Sequence, residues 1–220
     1  MEVLKLSQVQ IHEGWEADDR LESLGLSVEL MVRVAQRAAA EAATCTAFDA
    51  RGAAGSLMWT RMLRYLREEL AMTGWDVSRP RNSELTYNRD LGLQLVVTSG
   101  DGMTGQTAGS PQPKNPKGPT FFEAVNNNQD PLDFGPSFAL PESASEADDS
   151  PLATWVVVYR SSGRQLYLEV SRPASVDPGG YVRWDERIII SVPTPDGSDF
   201  SLLNTDDDGG PYAVSVERLG

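Results

Sequence analysis

A chain of 220 residues with 40% hydrophobic content is long enough to bury a substantial core, and it carries a formal net charge of -13. That charge sets most of the surface against nucleic-acid backbones and anionic membranes, and suits either simple solubility or an acidic surface that imitates DNA or docks on a basic protein. No stretch of about 18 consecutive apolar residues and no basic-then-apolar start (Met1-Glu2-Val3-Leu4-Lys5) points to a membrane span or classical export, so a cytoplasmic protein without membrane contact is expected.

The first clear element is a helix over residues 27–43. Val28, Met31, Val34, Ala35, Ala38, Ala39 and Ala42 recur at the three-and-four spacing of one helical face. Ser27 is the expected N-cap, and Glu29 stands in the first turn, where a carboxylate suits the helix dipole. Cys45 follows among small residues and reads as a packing residue, since a single cysteine forms no internal disulfide and His12 is the sole histidine to activate it. A second helix is expected from Ser56, with Trp59, Met62, Leu63, Leu66 and Leu70 inward and a left-handed stop at Gly74. Its opposite side, with Arg61, Arg64, Arg67 and Glu68, reads as solvated.

From Asp76 the apolar period drops to two. Glu84–Tyr87 and Leu91–Thr98, joined through Asn88-Arg89-Asp90, predict a β-hairpin. The segment 99–119 that follows is punctuated by Gly and Pro throughout, which excludes a regular element. Segments of this length in compact domains are commonly functional or disordered. Thr120-Phe121-Phe122-Glu123 has the capping-box pattern and predicts a short helix to about Asn126. Residues 127–151 hold Asp130, Asp133, Glu142, Glu146, Asp148 and Asp149 without a Lys or Arg, an acidic linker in which Leu132, Phe134, Phe138 and Leu140 form an alternative surface-binding segment.

Beyond the linker lies the densest β pattern. Thr154–Tyr159 and Gln165–Val170 flank a Ser161-Ser162-Gly163 turn, and residues 181–192 and 212–218 supply two more strands. The expected fold class is therefore α+β, with N-terminal helices packed on a β-hairpin and a C-terminal antiparallel β meander. Residues 1–126, 127–151 and 152–220 form its three regions, which one composite domain can contain. Trp155, Tyr167 and Trp184 read as core or cross-strand aromatics rather than a ligand cage.

Chemistry concentrates around the long loop. Two of the three lysines, Lys114 and Lys117, lie in it. Glycine-rich backbone brings several N–H groups to one oxyanion while an ammonium neutralises charge, the physics of phosphate cradles. The fixed spacing of a Walker A motif is absent. Arg79, Arg81 and Arg89 near the hairpin would extend a basic patch if the loop folds back, although pairing with nearby carboxylates is the commoner fate of such arginines. The candidate binding residues are thus Arg79, Arg81, Asp101, Thr104, Lys114 and Lys117. Glu69, Glu84, Asp90 and Asp101 are the residue types of a divalent-metal nuclease, but the hairpin lacks the strand carboxylate and lysine two residues apart that such sites use. Asp206-Asp207-Asp208 and Asp196-Gly197-Ser198-Asp199 lack EF-hand spacing and read as solvated turns. No catalytic residue, resident metal or cofactor is indicated.

The order Trp59 to Trp75, then Thr98-Ser99-Gly100-Asp101 with Thr104-Gly105, Lys114 and Lys117-Gly118-Pro119, resembles an uncharacterised family of bacterial and phage-borne proteins over about residues 45–130. The resemblance implies a setting on mobile elements, near defence or repressor genes, and no activity. With it, the sequence points first to a non-enzymatic binding or regulatory protein that acts through a protein partner, a nucleic-acid-binding protein that it blocks being one such partner. A nucleotide or nucleic-acid binder using Lys114 and Lys117 is the second reading, and a metal-dependent nuclease the third.

Overall fold

The computed structural model describes residues 9–80, 83–114, 121, 125, 128 and 151–193. Its centre is a seven-stranded mixed sheet in the order β1-β7-β6-β5-β4-β3-β2. The strands are β1 (Gln10–His12), β2 (Asp76–Ser78), β3 (Leu85–Asn88), β4 (Leu93–Ser99), β5 (Ala153–Ser162), β6 (Gln165–Val176) and β7 (Val182–Ser191). The fold is α+β, with the helices N-terminal and the long strands C-terminal as the patterning implies. The meander differs from expectation at two joints. β4 pairs parallel with β5, and β1 pairs parallel with β7. The first joint knits the N-terminal hairpin and the C-terminal strands into one sheet, with Val96 beside Val156 and Val97 beside Val157.

Three helices cover one face: α1 (Trp15–Glu22), α2 (Val28–Ala42) and α3 (Ala53–Leu70). In α2 the Ser27 hydroxyl accepts from the Leu30 N–H at 3.2 Å, and every predicted inward residue except the flanking Val28 is buried. α3 begins three residues earlier than its periodicity suggests, because left-handed Gly52 (φ 79°) turns the chain into the helix and Ala53-Ala54-Gly55 tolerate helical backbone. Gly74 is left-handed (φ 82°) after the last turn, as expected. Met31, Val34, Met62 and Leu66 pack on Leu95, Trp155, Val157, Leu168, Val170 and Ile188 of the sheet. Burying each such side chain contributes on the order of 1.5–3 kcal/mol. The arginine row of α3 is not merely solvated. Arg61 pairs with Glu41, Arg64 with Glu68 at 2.7 Å and Arg67 with Glu84 at 2.8 Å, while Arg33 and Arg37 of α2 reach Glu69.

The opposite face is covered too, and differently. Glu186 pairs with Arg172, whereas Trp184 pairs with Pro173, leaving Asp185 as an extra residue in β7. This register shift changes which side chains point where. Glu186 faces the helices, where Arg20 of α1 grips it through both carboxylate oxygens. Val182 and Trp184 instead turn to the second face and pack with Val156, Val158, Phe121 and Val125. Phe121 and Val125 are helical in backbone, four residues apart and buried; the remainder of the expected capping box lies outside the described residues. Asn128, placed by composition in the linker, is docked on the sheet. Its amide donates to the Thr154 and Pro173 carbonyls at 2.8 and 3.0 Å, and its side-chain oxygen accepts the Thr154 N–H. The expected strand at 212–218 and both aspartate turns lie outside the described residues.

Candidate functional site

Segment 99–114 lies folded on the second face of the sheet, its ends pinned together. The Lys114 N–H donates to the Ser99 carbonyl at 3.0 Å, the Asp101 N–H to the Gln112 carbonyl at 2.9 Å, and Gly100 bridges Pro113. Asp101 organises the first turn by accepting the Met103 N–H at 3.0 Å, an Asx-turn. Gly105 and Gly109 are left-handed, with φ of 70° and 92°. A Cβ on Gly105 would stand 3.0 Å from the Tyr167 Cβ, so glycine also lets this backbone approach β6 closely.

Beneath the loop lies a buried ion pair that the sequence reading did not single out. Glu169 of β6 and Arg187 of β7 are 0% and 1% exposed in their side chains and meet at 2.6 Å. Three further bonds join the pair to the loop. Gly105 donates its N–H to Glu169 Oε2 at 3.3 Å; Arg187 donates to the Gln106 carbonyl at 2.9 Å and to the Gly109 carbonyl at 3.2 Å. Burial pushes the Glu169 carboxyl above the usual carboxylate range, against the opposing pull of Arg187, the Gly105 N–H and the nearby Ser171 hydroxyl. Two neighbours extend the seam. Trp184 donates its indole N–H to the Pro111 carbonyl at 2.7 Å, and Gln112 exchanges bonds of 3.0 and 2.8 Å with the Val182 backbone, much as a strand neighbour would.

One loop N–H, that of Gly105, points at a carboxylate oxygen here, and that carboxylate is the protein's own Glu169. What the loop offers outward is its rim: Gly102, Met103 and residues 106–110 are exposed. Thr104, singled out by sequence, is fully buried and unavailable on that rim. Asp101 is half-buried and shapes the turn. Lys114 is exposed at the loop's close. Arg79 is exposed and pairs with Glu84 at 3.2 Å. Strand register puts the turn holding Arg79 and the Lys114 end of the loop at the same end of the sheet, because Leu85 faces Val96 and Lys114 bonds Ser99. Arg89, in the β3–β4 turn, lies at the other end, its guanidinium 5.6 Å from the Tyr87 ring. Arg81 and Lys117 lie outside the described residues.

In comparisons with known proteins, no family model, curated protein or solved structure matches this chain. The chemistry must therefore be read from the residues alone. The four carboxylates of the nuclease reading are dispersed: Glu69 binds Arg33 and Arg37, Glu84 binds Arg67 and Arg79, Asp90 sits in the far turn and Asp101 in the loop. Among the described residues no group of three or more His, Cys, Asp or Glu is arranged to hold a metal ion, and no helix is long and apolar enough to cross a membrane. His12 contacts Glu186 at 3.0 Å, and Cys45 packs at the edge of the helical core. Burial alone would raise the Glu186 carboxyl; the bonds and charge of Arg20, helped by His12, outweigh it and hold that group below the usual carboxylate range.

Proposed function

We propose that this chain is a non-enzymatic binding or regulatory protein that works through protein–protein contact, with the rim of the 99–114 loop as its recognition surface. One observation carries the reading: a fully buried Glu–Arg pair accepts one N–H bond from that loop and donates to two of its carbonyls. A buried pair adds little stability over apolar residues of similar volume, so its use here is best understood as fixing conformation. A loop fixed before its partner arrives loses less entropy on binding. The side chains on the rim are small or adaptable: Met103, Gln106, Thr107, Ala108 and Ser110.

With a net charge of -13, the partner that fits is a protein with a basic surface, such as one that binds nucleic acid and would be blocked by the contact. The resemblance over residues 45–130 suggests a bacterial or phage system, on a mobile element or in defence, and the lack of an export-type start or apolar span agrees with a cytoplasmic setting. The test is capture of a partner from host lysate, followed by affinity measurement with a Gln106→Arg/Thr107→Arg variant. Affinity is expected to fall at least tenfold with unchanged thermal stability, and to weaken as salt rises. Unchanged affinity in the variant would remove the loop from the interface.

A second reading rests on Arg79 and Lys114 sharing one end of the sheet. A nucleotide or oligonucleotide bound there would lose affinity in Lys114→Ala/Lys117→Ala; unchanged binding would eliminate it.

A further inference from the structure

Four polar atoms beneath the loop have no hydrogen-bond partner among the described residues: Glu169 Oε1, Ser171 Oγ, Arg187 Nε and Thr104 Oγ1. All four residues are at least nine-tenths buried. Leaving one such group unpaired is costly, and four together demand an explanation.

Their places in the fold bring them together. Ser171 follows Glu169 by two residues on the same face of β6, and its register partner across the ladder is Arg187. The Ser171 hydroxyl borders the Glu169 carboxyl without reaching hydrogen-bonding geometry with it. Thr104 immediately precedes Gly105, whose N–H reaches the other oxygen of the same carboxylate. Its hydroxyl also lies against Gly100 and the side chain of Val158, and Val158 is the register partner of Glu169 on β5. The orphaned atoms are therefore gathered around one carboxylate from β6, β7 and the loop.

We infer that Glu169, Ser171, Arg187 and Thr104 hold one internal water molecule that completes the seam between the sheet and the loop. The donor and acceptor chemistry selects water. Glu169 Oε1 only accepts and Arg187 Nε only donates, while the two hydroxyls do either. Together they supply two acceptors and two donors, the complement of a single water. A metal cation is opposed by the Arg187 guanidinium, and an anion by Glu169. Buried waters characteristically make about three bonds to polar groups that have no other partner. The water ties the loop side, through Thr104, to the strand side, through Ser171, so it belongs to the machinery that seats the loop.

A high-resolution crystal structure of the full chain at neutral pH tests this. The expected result is a well-ordered density peak, with displacement no larger than its neighbours, about 2.7–3.2 Å from both Glu169 Oε1 and Arg187 Nε. A dry seam would overturn it: no peak there, with the Ser171 hydroxyl donating directly to Glu169 Oε1. A peak bonded only to loop carbonyls at the surface would also overturn it, because such a water does not satisfy the buried pair.

Discussion

Replacing Arg187 with leucine separates two roles of the buried pair, support of the core and seating of the loop. Removing one partner of a buried ion pair typically costs about 3–5 kcal/mol, because the other charge is left uncompensated. Glu169 is 0% exposed and its carboxyl is already pushed upward by burial, so in Arg187→Leu it takes up a proton at higher pH than before. Each unit of that shift corresponds to about 1.36 kcal/mol. In Glu169→Leu/Arg187→Leu no buried charge remains, and most of the 3–5 kcal/mol is expected to return. The bonds to the Gln106 and Gly109 carbonyls do not return. Both residues are exposed, so their carbonyls turn to water, at a net cost of about 0.5–1.5 kcal/mol each. Urea unfolding of the wild type, both single variants and the double variant gives the coupling energy directly, and amide exchange in residues 101–112 reports the loop. The double variant is expected to lie within about 1–3 kcal/mol of wild type in global stability, well above Arg187→Leu, with a loop that exchanges freely. A double variant whose loop stays as protected as wild type would refute the assignment of the pair as the loop's anchor.

Trp184→Phe removes the donor to the Pro111 carbonyl, whose residue is buried, and should cost about 1–3 kcal/mol in thermal or urea melts with local loosening near residue 111. A Cβ on Gly100 would lie 2.1 Å from Thr104 Oγ1 and 2.5 Å from Val158 Cγ1, so Gly100→Ala should destabilise by about 1–3 kcal/mol through overpacking; a neutral result in denaturant titration would mean the loop does not press on β5 as described. For pH, the two buried glutamates act in opposite senses. Glu186 has a depressed folded pKa, so its contribution is present above the unfolded value near 4.5 and is lost as pH falls through the folded one. Glu169 has a raised folded pKa, so its contribution is present below the unfolded value and is lost as pH rises through the folded one. Stability measured across this acid range should lose part of its acid-side fall in Glu186→Gln.

The helical face of the protein was legible because its signals are local. Ser27 caps, the three-and-four spacing of Met31 to Ala42 buries, and Gly74 stops, all as the sequence dictates. Residues 99–114 stand out in the sequence by their glycines and prolines, but their bonds run to residues about 60 to 80 positions away, which no local pattern encodes. Glu169 alternates with Leu168 and Val170 just as a solvent-facing residue of a half-covered sheet would. The clue lay on adjacent strands: Val156-Val157-Val158 and Ile188-Ile189-Ile190 are apolar at consecutive positions, the mark of a sheet covered on both faces, which leaves a neighbouring glutamate no route to water. The extra residue at Asp185, which turns Trp184 to the second face, leaves no comparable trace in a sequence of alternating polar and apolar residues.

Native-state hydrogen exchange of the loop amides tests the central claim most directly. If the buried pair holds the loop in one conformation before any partner binds, the N–H groups of Asp101, Gly105 and Lys114, each bonded within the fold, should exchange at least a hundredfold more slowly than in an unstructured peptide. Exchange of Gly105 at the unstructured rate would contradict a preformed recognition surface, however stable the rest of the sheet proved to be.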